Sequence, residues 1–314
     1  MKAIGVHEFG GPEALRVLDL PEPQAGPGEV RIRVHAAAVS PTDVMLRTGG
    51  HAVRMPGRRP PFVPGMDAAG VIDQLGPDTD GRLRVGQRVV AMVLFTSPHG
   101  GAYAEQVVVP AASVVPAPEG ADFPAASTLL MNALTARMSL DVLAVPPGGT
   151  VAVTGAAGAV GAYAVELAEA DGLTVIADAG PDDTELVRGF GADHVVERGS
   201  GVADRIRALA PDGVPGLVDG SVQTTDVVPA IADCGTLAEL RGWPGPAGRG
   251  VRVRPVMVRD DMTDTAKLDA LRRLAEDGTL TLRVAEVLPA EEAPEAHRML
   301  EAGGLRGRLV LDFS

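Results

Sequence analysis

The sequence predicts a two-domain α/β chain: a mostly β domain and a second domain built on a doubly wound parallel sheet. Three observations predict it. The 314 residues exceed a typical domain of roughly 100–200 residues. The first third reads as short strands broken by Gly-Pro and Pro-Gly pairs, the pattern of a small β-rich domain. Beyond Pro116-Ala117-Pro118, apolar strand runs alternate with helical runs, which is how a parallel sheet with crossover helices is written.

Taken in order, Arg31-Ile32-Arg33-Val34-His35-Ala36 alternates polar and apolar residues as a half-buried strand does. Residues 85–93 read as a turn and a strand, and 125–144 as an Ala/Leu-rich helix. Strands follow at 151–154, 174–177, 194–196, 216–218 and 237–240. The helices predicted between them cover 160–170, 182–190, 202–210 and 225–233. Residues 265–276 form an amphipathic helix, 280–287 are extended, 290–302 are helical, and 308–313 are a strand. The closing strand resembles the first domain, so the chain is expected to return to it. The expected division is 1–118 with 260–314, and 119–259.

Composition removes several classes. An apolar fraction of 46% argues against disorder. A net charge of −13 opposes nucleic-acid binding. The single cysteine, Cys234, allows neither an internal disulfide nor a thiolate-rich zinc site. No apolar leader and no run of about 20 apolar residues is present. A cytoplasmic protein with no membrane partner is expected.

The strongest chemical signal is Thr154-Gly155-Ala156-Ala157-Gly158-Ala159-Val160-Gly161, after a buried strand and opening a helix. Glycines there permit a tight turn and close approach of backbone to a pyrophosphate, which the helix N-terminus attracts. Asp178 ends the next strand, at about the 20-residue spacing of an acidic residue that binds the ribose hydroxyls of NAD. The residues immediately after it, Ala179-Gly180-Pro181-Asp182-Asp183, contain no Lys or Arg. NAD(H) or NADP(H) is the expected cofactor, with NADH slightly favoured; the alternative is that Asp178 only caps the next helix.

These segments, with Ser40-Pro41-Thr42-Asp43, Pro64-Gly65-Met66-Asp67-Ala68-Ala69-Gly70, Val85-Gly86-Gln87-Arg88-Val89, Gly101-Ala102-Tyr103-Ala104-Glu105, Gly191-Ala192-Asp193-His194-Val195 and Leu305-Arg306-Gly307-Arg308-Leu309-Val310, resemble the medium-chain dehydrogenase/reductase superfamily. The likeness is to its zinc-free, quinone oxidoreductase-like branch and covers essentially the whole chain. It implies a GroES-like substrate domain, a Rossmann cofactor domain, a cleft where they meet, and a homodimer. Zinc members of the superfamily use Cys and His where this chain has Ser40 and Met66, both poor zinc ligands, so no zinc is expected. Without a Lewis acid, conjugated acceptors such as quinones and α,β-unsaturated carbonyls become the expected small-molecule substrates. The resemblance also implies an Asn-Pro-Val-Asp motif and a tyrosine; here Ser40 and Met45 stand in those places. Ser40, Asp43 or the cofactor ribose are then the alternatives for proton donation.

The candidate catalytic set is Ser40, Asp43, Met45 and Asp67, with a loop-holding role as the alternative for both aspartates. Candidate cofactor contacts are Thr135, Gly155, Ala156, Ala157, Gly158, Ala159, Val160, Gly161, Asp178, Leu240, Arg241 and Gly242. Candidate substrate contacts are Met45, His51, Met66, Asn132 and Trp243, with His99 a further loop histidine. His35 is expected on a solvated face, and His194 and His297 in structural segments. Arg54, Arg58 and Arg59 would line a channel in a 2-enoyl-thioester reductase, an alternative function. A non-catalytic dinucleotide-binding protein is the other.

Overall fold

The computed structural model describes residues 1–52 and 55–314. Its elements begin with β1 (Lys2–Gly5), β2 (Arg16–Asp19), β3 (Glu29–Ala38), α1 (Pro41–Arg47), β4 (Asp67–Leu75), β5 (Arg88–Met92), β6 (Gln106–Pro110) and β7 (Val114–Pro116). They continue with α2 (Phe123–Ser127), α3 (Leu130–Leu143), β8 (Thr150–Thr154), α4 (Ala159–Ala170), β9 (Thr174–Ala179), α5 (Thr184–Gly189), β10 (His194–Glu197) and α6 (Val202–Leu209). Then come β11 (Val214–Asp219), β12 (Ile231–Glu239), β13 (Arg252–Pro255), α7 (Thr265–Glu276), β14 (Val284–Pro289), α8 (Ala293–Ala302) and β15 (Arg308–Asp312).

The chain divides into two units. The first is Met1–Met131, Asp261–Glu276 and Leu282–Ser314. Its main sheet has the order β14-β15-β3-β4-β5-β7, with β6 also paired to β3. The alternation in β3 buries Ile32 and Val34, which join Ile72, Val89, Val107, Leu309 and Leu311 in one apolar core. The closing strand does return here: β15 pairs antiparallel with β3 through Val310 and Ala38.

The second unit is Asn132–Asp260 with Asp277–Thr281. Six parallel strands run in the order β10-β9-β8-β11-β12-β13. The order reverses between β8 and β11, so their carboxyl ends flank the switch point where open α/β sheets bind ligands. Ala152, Ile176, Leu217 and Leu237 from the strands pack with Ile206 and Val228.

Two local expectations are corrected. Residues 225–233 are not a helix. Two short 3-10 turns, Thr224–Asp226 and Val228–Ala230, lead directly into β12, which pairs with β11 from Ile231. Pro229 has no N–H to continue an α-helix, and the buried Val228, Ala230 and Ile231 mimic helical spacing. The helix expected over 125–144 is two, α2 and α3, separated at Thr128 and Leu129.

Candidate active site

In the second unit, β8 ends at Thr154 and α4 begins at Ala159, with Gly158 as an N-cap that has no side-chain bond. The first-turn N–H groups of a helix lack intrahelical acceptors, and this end therefore attracts an anion. Gly155 sits at φ +69°, and a Cβ there would lie 2.7 Å from the Gly220 carbonyl carbon. A Cβ on Gly161 would lie 2.2 Å from the Gly155 oxygen. Side chains at either position would collide with neighbouring backbone, so glycine lets the loop pack tightly against the chain after β11 and against α4; the N-terminus of α4 that it leads into has the donor set that suits a pyrophosphate.

Asp178, the penultimate residue of β9, lies beside this loop and is buried. Its Oδ1 accepts the N–H of Gly155 at 2.6 Å and of Ala156 at 3.3 Å. It does not cap α5, whose N-cap position is Asp183. Burial pushes the Asp178 carboxyl up, against the two amides that favour its charged form.

Two further carboxylates at the same sheet edge escaped the sequence reading. Asp219, at the end of β11, accepts Thr154 Oγ1 at 2.9 Å, Ser221 Oγ at 3.2 Å, and the N–H groups of Gln223 and Thr224 at 3.1 and 2.7 Å. Glu239, buried at the end of β12, accepts the N–H groups of Arg241 and Trp243 at 2.8 Å each, and that of Gly242. The signal was present: an acidic residue closing an apolar strand run, as at Asp178, occurs again in Leu217-Val218-Asp219 and Leu237-Ala238-Glu239. Glu239 thereby shapes the Leu240-Arg241-Gly242 segment. Trp243 is half-buried and packs against the unit's own core rather than lying free over the loop. Asn132 and Thr135 are buried on α3.

In the first unit, Ser40 and Asp43 form a capping box for α1. Asp43 Oδ2 accepts the Ser40 N–H at 2.8 Å, and Oδ1 accepts that of Gly65 at 2.8 Å. Tyr103 donates its hydroxyl to Asp43 Oδ2 at 3.1 Å, and His297 Nε2 lies 3.3 Å from that hydroxyl. The phenol has one proton; with it on the carboxylate, Nε2 must carry the hydrogen in its own contact. His297 Nδ1 is then a buried acceptor without a partner. Burial raises Asp43 to about 6. Burial, then the Arg47 charge, lowers His297 to about 3.

Asp67 is paired with Arg308 at 2.8 Å, both almost fully buried, and its other oxygen accepts the Met131 N–H at 2.9 Å. Arg308 also donates to the Val39 carbonyl. The structure thus engages both aspartates in holding chain segments together. Met66 is buried next to Asp67, and Met45 is half-buried on α1. His51 is buried and stacks on Phe95, with centroids 5.2 Å apart. His99 lies 4.0 Å from a Glu29 oxygen. His35 is not simply solvated: it stacks on Phe123 at 4.4 Å, because Phe123 at the start of α2 covers that face. Arg58 donates to the Phe95 carbonyl at 3.2 Å, Arg59 is exposed, and Arg54 lies outside the described residues. Among the described residues, no three His, Cys, Asp or Glu side chains are grouped to hold a metal. None of the helices described is long and apolar enough to cross a membrane.

Comparisons with known proteins agree with this architecture. Residues 26–119 match the alcohol dehydrogenase GroES-like domain, and 190–311 match a family described as zinc-binding dehydrogenase. Over 336 residues the chain is 28% identical to a quinone oxidoreductase of Sus scrofa, covering 99% of this chain and 97% of that protein. A mycobacterial structure complexed with NADPH is 31% identical with a TM-score of 0.88, covering 99% of this chain and 100% of the other. The quinone oxidoreductase from Coxiella burnetii is 26% identical with a TM-score of 0.88, covering 100% and 99%. The two sheets and the glycine loop define a dinucleotide-binding oxidoreductase fold. The chain belongs to the medium-chain dehydrogenase/reductase superfamily, in its quinone oxidoreductase-like group.

Proposed function

We propose that this protein is a zinc-independent reductase that uses NADH or NADPH to reduce a quinone or an α,β-unsaturated carbonyl. The observation that carries the reading is the state of Ser40. At a position where zinc members place a thiolate, its hydroxyl accepts the Thr42 N–H at 3.3 Å as the cap of α1. A capping hydroxyl and the Met66 thioether make a poor zinc site. Without a metal to polarise a simple carbonyl, an acceptor that spreads charge along its own conjugated system is the better match.

The residues Gly155 to Gly161 would hold the pyrophosphate, Asp178 a ribose, and Leu240 to Gly242 the nicotinamide end. When bound, the cofactor supplies the hydride; the protein's part is to orient it and exclude water. Asp178 keeps Oδ2 for a ribose hydroxyl, but Oδ1 is taken by the loop. An oxygen left for a ribose hydroxyl slightly favours NADH over NADPH.

The test is a panel of a quinone, an enone, an enoyl thioester and a simple ketone, each followed by loss of reduced-nicotinamide absorbance. Turnover of the quinone or enone well above the ketone is expected. Turnover of the ketone alone would overturn the reading, and preference for the thioester would replace it with the enoyl-thioester alternative.

A further inference from the structure

Three segments of the first unit close on one carboxylate. Asp43, on α1, holds the Ser40 N–H on Oδ2 and the Gly65 N–H on Oδ1, each at 2.8 Å. Gly65 belongs to a turn that lies on residues 101–103. Gly101, Ala102 and Tyr103 donate their N–H groups to the carbonyls of Val63, Gly65 and Pro64 at 2.9, 3.0 and 3.0 Å. Gly65 sits at φ +102°, and a Cβ there would lie 2.7 Å from both the Ala102 nitrogen and Tyr103 Cδ1. Only glycine allows that approach. Tyr103 therefore grips the turn twice: directly through its backbone, and by way of Asp43 through its hydroxyl, which donates to Oδ2 at 3.1 Å.

The phenol is aimed by what lies behind it. His297, on α8, has Nε2 3.3 Å from the Tyr103 hydroxyl. Burial, and then the charge of Arg47, keep this imidazole neutral. Arg47 is itself paired with Glu301, one turn further along α8, at 2.6 Å. A neutral ring that donates from Nε2 leaves the phenol proton to Asp43. Burial raises the phenol well above its ordinary value, so it stays a donor. Asp43 and Tyr103 are both fully buried, where a lost partner is costly. The other charges that act on the pair are Arg308 of β15, which favours ionised Asp43, and Asp67, which is bound to Arg308. An ionised carboxylate accepts with both oxygens, whereas a protonated one commits one of them to its own O–H. The Tyr103 hydroxyl therefore favours the state in which Ser40 and Gly65 are both held.

We infer that Tyr103 is a positioning residue: through Asp43 it fixes the backbone at Ser40 and Gly65, and so sets the Ser40 and Met66 side chains for reduction of the acceptor. The inference rests on the proposed reductase activity. The experiment is kcat/KM for a quinone across about pH 5.5–8.5 in the wild type, Tyr103→Phe and Asp43→Asn. Cofactor affinity is read by fluorescence titration, and the Asp43 carboxyl is followed by carbon-13 NMR. Wild-type kcat/KM is expected to fall as pH drops through about 6, where Asp43 takes its proton. Tyr103→Phe keeps the ring and loses the donor, so its acidic limb and its Asp43 titration should move up together by about one unit. That is roughly a fivefold loss at about pH 6, with the wild-type value regained near about pH 8. A loss of stability alone would lower the rate without moving the limb. Cofactor affinity should be unchanged. Asp43→Asn, which does not titrate, should be slow and lack that limb, a result that stands even where Tyr103→Phe fails to fold. A limb or an Asp43 titration that stays in place in Tyr103→Phe, or a limb that persists in Asp43→Asn, would overturn the inference and leave the reductase reading standing. No turnover of a quinone or an enone by the wild type at any pH would overturn that reading and the inference together.

Discussion

The buried carboxylates of the two units do different work. In the first unit, Asp67 meets a full opposite charge on Arg308, and Asp43 meets a phenol and two amides inside the fold. In the second, Asp178, Asp219 and Glu239 each stand at or one residue before the end of a parallel strand and gather N–H groups from the loop that follows or lies beside it. The first kind joins segments far apart in sequence, such as residues 67 and 308. The second kind sets loop conformation at the strand ends where the cofactor is proposed to bind. Identical residue types therefore predict different losses when removed: stability in one unit, ligand affinity in the other.

The largest expected effect comes from breaking the charge pair. Arg308→Met leaves Asp67 buried without its cation and should cost about 3–5 kcal/mol of unfolding free energy, read by denaturant titration. Adding Asp67→Asn should recover a large part of it. A loss below about 1 kcal/mol, the scale of a surface pair, would remove the distinction between the two units.

Glu239→Gln should be milder on stability, about 1–2 kcal/mol for weakened charge-assisted bonds. Its clearer effect should be weaker binding of reduced nicotinamide dinucleotide, measured by fluorescence titration, because the Leu240 to Gly242 segment loses its anchor. A stability loss as large as that of Arg308→Met with unchanged cofactor affinity would reverse the comparison.

The smallest effect is on pH dependence. His297 is lowered to about 3 in the fold, from an ordinary value of 6.5. An unfolded chain takes the proton first, so this group's contribution is present above about pH 6.5 and is lost as pH falls towards 3. Asp43 is raised to about 6 from 3.8; its contribution has the opposite sign, present below about pH 4 and lost as pH rises through 6. His297→Gln should therefore lower the melting temperature slightly at about pH 7 and close that gap, or reverse it, at about pH 5. Parallel melting curves for the two proteins across that range would contradict the assignment.

Much of the fold was legible because strand and helix periods rarely conflict in this chain. The glycine loop was equally plain, since Gly155 and Gly161 stand where backbone must approach backbone. The rest was decided by pairing across the sheet. The spacing to Asp178 identified its position but not that Oδ1 would face the loop amides. The run 225–233 looked helical from its apolar spacing, while Pro229 and the pull of β12 pairing determined the outcome. The solvated reading of His35 failed because Phe123, remote in sequence, covers it. Asp43 and Asp67 were visible as candidates, but their partners Tyr103 and Arg308 lie 60 and 241 residues away.

Reduction of a conjugated acceptor without zinc is the activity proposed for this protein. Steady-state oxidation of NADPH with a quinone, before and after exhaustive treatment with a strong zinc chelator, tests it most directly. Turnover that survives chelation unchanged, and is not raised by added zinc, is the predicted result. Activity that disappears with the chelator and returns with zinc would contradict the account.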